Sequence, residues 1–173
     1  TSTLPPIERL LEYEPPVATR VYAADGSLIE EFFRERRYRV PIADIPPLVR
    51  NAFLSAEDSD FYTHHGVDFL GIGRAFLANL RSGGVVQGAS TITQQVVKAL
   101  LLSPERSYQR KIKEILLSLR IEQHLSKDQI LELYLNQIYL GDGNHGVEAA
   151  ARNYFGKTVQ TLTPAEAALL AGL

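Results

Sequence analysis

The sequence predicts a mainly α-helical domain with a small N-terminal β-hairpin. Two observations carry this reading. From Pro46 onward, apolar residues recur at helical spacing between legible capping signals, and one strong hairpin signal lies within the first 45 residues.

The hairpin comes first in the chain. In "ATRVYAADGSLIEEFF" two β-prone runs flank Asp25-Gly26. Proline pairs at 5–6, 15–16 and 46–47 punctuate the region, so residues 1–45 are expected to form an arm or linker and 46–173 the main domain. Helices are then expected near 47–57, 68–81, 90–102, 104–125, 126–139, 146–154 and 164–173. Their starts are marked by Ser103-Pro104, by a capping box at Ser126 and Gln129, and by Thr163-Pro164 with Glu166. No internal repeat or low-complexity tract interrupts them.

Composition narrows the chemistry. The 173 residues suffice for one domain with its own core, or for two lobes sharing a cleft, and 45% apolar with 22% charged residues is ordinary globular usage. A net charge of −2 supplies no global field for nucleic acid, so any anion site must come from local clustering. The absence of cysteine excludes disulfides, thiolate metal sites and a cysteine nucleophile. No run reaches the ~20 apolar residues of a membrane span. The chain opens "TSTLPP", contains no methionine and stops inside the apolar pattern "AALLAGL", and so reads as a piece cut from a longer protein, for which a missing anchor or partner domain is not evidence of absence.

The stretch "LSAEDSDFYTHHGVD" concentrates acids and histidines after an apolar helix whose buried face is read as Leu48, Ala52, Phe53 and Ala56. Asp58-Ser59-Asp60 matches a metal-binding DxD pattern, but it follows a helix and not a strand. His64 and His65 are adjacent, so on a helix they diverge by about 100° and lack the i, i+4 spacing of a zinc pair. One of them is expected to hydrogen-bond to the scaffold and the other to meet solvent. Glu57 and Asp58 then remain at a helix end beside Phe61, Tyr62 and Gly66. A solvated acidic helix end fits this pattern, and so does a carboxylate crowded by a like charge and apolar walls, which suits a general base.

Further on, Ile92, Val96, Ala99 and Leu100 form an apolar stripe, opposed by Thr91, Gln94, Gln95 and Lys98. Both a plain polar surface with Ser90 as N-cap and a wall of neutral donors facing sugar hydroxyls fit this segment. In the next helix Arg106, Arg110, Lys111 and Lys113 crowd one acid, Glu114. A salt-bridged solvent face accounts for the run, as does a phosphate pocket completed by Lys98. Residues 67–86 carry Phe69, Leu70, Ile72, Phe76, Leu77 and Leu80 with Arg74 and Arg81. Such a band fits a lobe helix packed on both sides or a helix inserted at an anionic bilayer surface. Asp68 is its expected N-cap, and Gly83, Gly84 and Gly88 read as hinges of a flap.

Taken in order, "EDSDFYTHHG", "GASTITQQVVK", "RKIKE", "ELYLNQIYLGDGNHGVEAAARNYFGK" and "LTPAEAALLAG" resemble the five motifs of the family 51 glycosyltransferases. These are the peptidoglycan polymerase domains of class A penicillin-binding proteins and monofunctional transglycosylases, and the resemblance covers roughly residues 40–173. It implies a lysozyme-like, two-lobed helical fold with a small membrane-proximal lobe at about 67–88. It also implies an enzyme at the outer face of the bacterial cytoplasmic membrane that polymerises lipid II into β-1,4-linked glycan with inversion, releasing undecaprenyl pyrophosphate.

By the same resemblance Glu57 is the general base, and Glu114 is a second catalytic acid that orients cations or helps bind a divalent ion such as Mg or Mn. Lys98, Arg106 and Lys111 contact the pyrophosphate, and Ser90, Gln94 and Gln95 bind sugar and phosphate. Asp58, Phe61, His65, Lys113 and Asn136 support them. Expected partners are lipid II, the growing glycan chain, the membrane surface and moenomycin-type inhibitors, with no nucleic acid. The alternatives are a lysozyme-like hydrolase or lytic transglycosylase, and a non-catalytic glycan- or lipid-binding module.

Overall fold

The computed structural model describes residues 19–32, 36–74, 90–102 and 107–173. The Ser103-Pro104 cap, Arg106, residues 75–89 with their three glycines, and the first two proline pairs lie outside the described residues.

Strands β1 (Thr19–Tyr22) and β2 (Leu28–Phe32) pair antiparallel, with Thr19 opposite Phe32 and Tyr22 opposite Leu28. The connecting turn is closed by the Asp25 carboxylate, which accepts from the Ser27 hydroxyl (2.6 Å) and the Ser27 N–H (2.9 Å). Those two bonds hold the Asp25 carboxyl below its ordinary value.

Residues 36–45, assigned above to the arm, are stitched to the helical body. Strand β3 (Arg36–Arg37) runs parallel to β4 (Asn144–His145). The Val40 N–H donates to Asn136 Oδ1 and the Val40 carbonyl accepts from Asn136 Nδ2, both at 2.8 Å, so this side chain replaces a strand partner. The Ile42 N–H donates to Glu132 Oε2 at 2.9 Å, and Ile45 is fully buried.

Among the described residues the body is built from α1 (Pro47–Glu57), α2 (Ile92–Leu101), α3 (Tyr108–Ile121), α4 (Lys127–Gln137), α5 (Val147–Phe155) and α6 (Pro164–Ala171), with a helical stretch at 69–74. The mainly helical architecture and the hairpin are as the sequence predicts. Both capping boxes form: Ser126 with Gln129, and Thr163 with Glu166. Asp68 does cap the 69–74 stretch, accepting from the Gly71 N–H at 2.8 Å.

Three local expectations are corrected. The N-cap of α2 is Thr91, one residue beyond Ser90, because Gln94 at the third helical position returns its side chain to the Thr91 N–H at 2.9 Å. The helix expected to begin at 104 begins at Tyr108, where the Ser107 hydroxyl accepts from the Arg110 N–H. On α1 the buried residues are Val49 and Phe53, while Leu48 and Ala56 are exposed; on α2, Val97 is buried and Ala99 is exposed. Phe53 on α1 and Ile92 and Val96 on α2 are buried as read, and the core adds Val49 and Val97 beside them.

That core joins α1 through Val49 and Phe53 to Phe61, Ile92, Val96, Leu117, Ile121, Ile130, Leu131 and Leu170. Two glycines are required by close approach. Gly66, at φ +83°, lies against α3 so tightly that a Cβ would fall 2.7 Å from the Ser118 carbonyl oxygen. Gly146, at φ +87°, has the same relation to the Asn136 carbonyl at 2.8 Å, which lets the 141–146 loop close onto α4.

Candidate active site

The last turn of α1 delivers two adjacent carboxylates to different fates. The Val49 and Phe53 stripe continues by four residues to Glu57, which passes the end of the packed length and is exposed. Asp58 leaves the helix at φ −160° and is buried. Asp58 Oδ2 accepts from the Ile92 N–H at 2.9 Å, and His64 Nε2 lies 3.0–3.1 Å from both Asp58 oxygens. The carboxylate thus caps the positive end of α2 and ties the 58–66 turn to it.

Residues 90–95 connect the surrounding elements. Lys111 Nζ donates to Ser90 Oγ at 3.1 Å. Thr91 Oγ1 donates to the Gly66 carbonyl at 2.7 Å, and Thr93 Oγ1 donates to Glu122 Oε1 at 2.6 Å. Gln95 Nε2 donates to Glu57 Oε2 at 2.7 Å. One helical turn therefore positions the exposed acid, the buried acid and the cation of the next helix together.

On α3 the Glu114 carboxylate is 2% exposed and paired with Lys111 Nζ. Lys111 is half-exposed, so it bridges this buried acid to Ser90 while presenting its remaining donor capacity outward. Lys98 is exposed at the last turn of α2 and Lys113 is half-buried. Arg110 Nε is buried without a hydrogen-bond partner among the described residues.

A model of the transglycosylase family matches residues 25–173. This chain belongs to the transglycosylase family. It is 51% identical over 170 residues to penicillin-binding protein 1A of Neisseria gonorrhoeae, covering 98% of this chain and 21% of that protein. With penicillin-binding protein 1A of Escherichia coli K12 the identity is 53% over 170 residues, covering 98% and 20%. The crystal structure of penicillin-binding protein 1A from Haemophilus influenzae aligns with 93% of this chain and 14% of that chain, at 28% identity and a TM-score of 0.43. The transglycosylase chain spans about a fifth of the length of the curated relatives it matches.

Several predicted site residues of the transglycosylase chain come together: Glu57 with Gln95, and Ser90 with Lys111 and Glu114. Gln94 does not join them; it is 1% exposed and its carbonyl is committed to the helix cap. The histidine that engages Asp58 is His64, and His65, expected in the supporting role, is exposed. Phe61 is buried, with its ring edge-on to Tyr62 at 5.2 Å and Lys127 Nζ 4.5 Å over its face. Lys127 also donates to Glu122 Oε1 at 2.7 Å. Sequence reasoning missed this Thr93–Glu122–Lys127 linkage because Thr93 lies on a different helix, far along the chain from Glu122 and Lys127. Among the described residues no group of three or more His, Asp or Glu side chains is arranged to hold a metal ion.

Proposed function

We propose that this chain polymerises lipid II, with Glu57 as the general base. The 4-hydroxyl of the acceptor N-acetylglucosamine attacks the anomeric carbon of the growing chain. The C–O bond to undecaprenyl pyrophosphate breaks as the β-1,4 bond forms, and the hydroxyl proton passes to the Glu57 carboxylate. Pyrophosphate leaves as a stable anion, so the protein's task on that side is charge neutralisation. Lys98 and Lys111 suit that task, with Arg106 expected beside them, and Glu114 holds Lys111 in place. Ser90 and Gln95 supply neutral donors and acceptors for the sugar and phosphate oxygens.

The single observation that carries this reading is the contrast at the α1 terminus. Glu57 is exposed and held by one amide at 2.7 Å, while the neighbouring Asp58 is consumed by the scaffold. A base needs free lone pairs and a fixed orientation, and Glu57 has both. The Lys111–Glu114–Ser90 linkage favours a phosphate-linked donor over a finished polysaccharide, whose neutral leaving sugar would instead require an acid.

Membrane contact, and with it placement at the outer face of the cytoplasmic membrane, fits the exposure of Phe69 (68%) and Leu70 (80%) next to Arg74. Among the described residues no helix is long and apolar enough to cross a membrane. Moenomycin-type phosphoglycolipids are expected to occupy the Lys98, Arg106 and Lys111 region, and Lys111→Ala should weaken their binding. The test of function is incubation with labelled lipid II in detergent, with glycan polymer resolved on a gel. Wild type should yield polymer and Glu57→Gln none; polymer from both would move the base elsewhere, with Glu114 tested next.

A further inference from the structure

Tyr134 is a buried polar group that the mechanism above leaves unused. It is 2% exposed, and its hydroxyl is buried with no hydrogen-bond partner among the described residues. Such a group is costly to keep, and a phenylalanine would fill the same ring volume without it. The hydroxyl therefore calls for a reason.

Its location supplies one. The Tyr134 ring packs edge-on against Phe53, centroids 6.3 Å apart at 74°. Glu57 follows Phe53 by four residues, one turn further along the same side of α1. Burial pushes the phenol well above the ordinary tyrosine value, and the negative charges of Glu57 and then Asp58 push it in the same direction. The hydroxyl thus lies within electrostatic reach of both carboxylates and keeps its proton. Asp58 already has both oxygens engaged by His64 and the Ile92 N–H. Glu57 accepts from Gln95 on Oε2, which leaves Oε1 for a second donor.

The geometry points to Tyr134 as a positioning residue for the general base: when substrate fills the site, its hydroxyl donates to the Glu57 carboxylate, directly or through one water. Gln95 and Tyr134 would then hold the carboxylate from two sides, each oxygen keeping a lone pair for the incoming proton. No covalent step is added, and the proton transferred is the substrate's own. The inference rests on the reading of Glu57 as base.

The test compares Tyr134→Phe, Glu57→Gln and the double variant in the full chain, with kcat and KM on lipid II and the unfolding midpoint measured for each. Tyr134→Phe should remain folded and lose about tenfold in kcat with KM unchanged, because an orienting contact acts on the reacting geometry. The double variant should be no slower than Glu57→Gln alone. Wild-type kcat in folded Tyr134→Phe overturns the inference while leaving the base in place. Wild-type polymerisation by Glu57→Gln overturns the base and the inference with it. If Tyr134→Phe fails to fold, the Cζ resonance of Tyr134 in 13C-tyrosine protein with substrate bound decides. It should move on Glu57→Gln, and an unmoved resonance overturns the inference.

Discussion

Glu57 and Asp58 are neighbours in sequence with the same functional group, yet among the described residues one lies exposed on a single amide contact and the other is buried under three contacts from two partners. The difference arises where α1 ends. Glu57 still follows the helical spacing of Val49 and Phe53, whereas Asp58 turns inward at φ −160° and meets the first N–H of α2. The pair shows how a fold separates reactivity from anchorage: hydrogen bonds consume the lone pairs of one acid and leave those of the other free.

The sharpest way to break the comparison is Glu57→Gln, which keeps the Gln95 contact possible but removes the proton acceptor. Polymerisation on lipid II should fall by roughly 10³-fold with the unfolding midpoint unchanged. Asp58→Ala should do the reverse in its first effect. It strands the buried Ile92 N–H and His64, costing about 3 kcal/mol and lowering Tm by roughly 5–10 °C in a thermal melt. Gly66→Ala attacks the same turn from its far side. A left-handed backbone and a Cβ against the Ser118 carbonyl should cost about 2 kcal/mol, read as a lower urea midpoint.

Gln95→Ala should leave stability almost intact and reduce kcat by roughly 3- to 10-fold, because it frees one side of the Glu57 carboxylate. Smallest is Glu166→Gln, a control acid outside the site. Lys157 and the Thr163 N–H lower the Glu166 carboxyl from 4.5 to about 2, so its contribution is complete above pH 4.5 and is lost as pH falls through 2. Glutamine can still complete the capping box but does not titrate. The variant should flatten the stability profile between pH 4.5 and 2 and leave it parallel to wild type above that, as followed by acid unfolding.

What could be read in the sequence was local. The capping boxes at Ser126 and Thr163 form as expected because cap and partner lie three residues apart and satisfy each other. The off-by-one start of α2 was also local, but Ser90 and Thr91 compete as caps and only the reciprocal bond from Gln94 decides between them. That bond is also why Gln94 lies away from the predicted sugar wall. The choice between His64 and His65 was not legible, since it depends on which side of the turn faces α2. The buried faces of α1 and α2 include the expected Phe53, Ile92 and Val96 but exchange Leu48, Ala56 and Ala99 for Val49 and Val97, because helices with small residues such as Ala52, Ala56 and Ala99 tolerate more than one apolar face. The core chose the one carrying Val49, Phe53 and Val97. Tyr134 belongs to the "ELYLNQIYLG" motif, but nothing in its spacing marks its hydroxyl as unpartnered.

The most direct test of the division between the two acids is to measure the lipid II polymerisation rate and the unfolding midpoint on the same preparations of wild type, Glu57→Gln and Asp58→Ala. The account predicts an inactive Glu57→Gln that melts with wild type and an Asp58→Ala that melts well below it. An active Glu57→Gln, or an Asp58→Ala as stable as wild type, would contradict it.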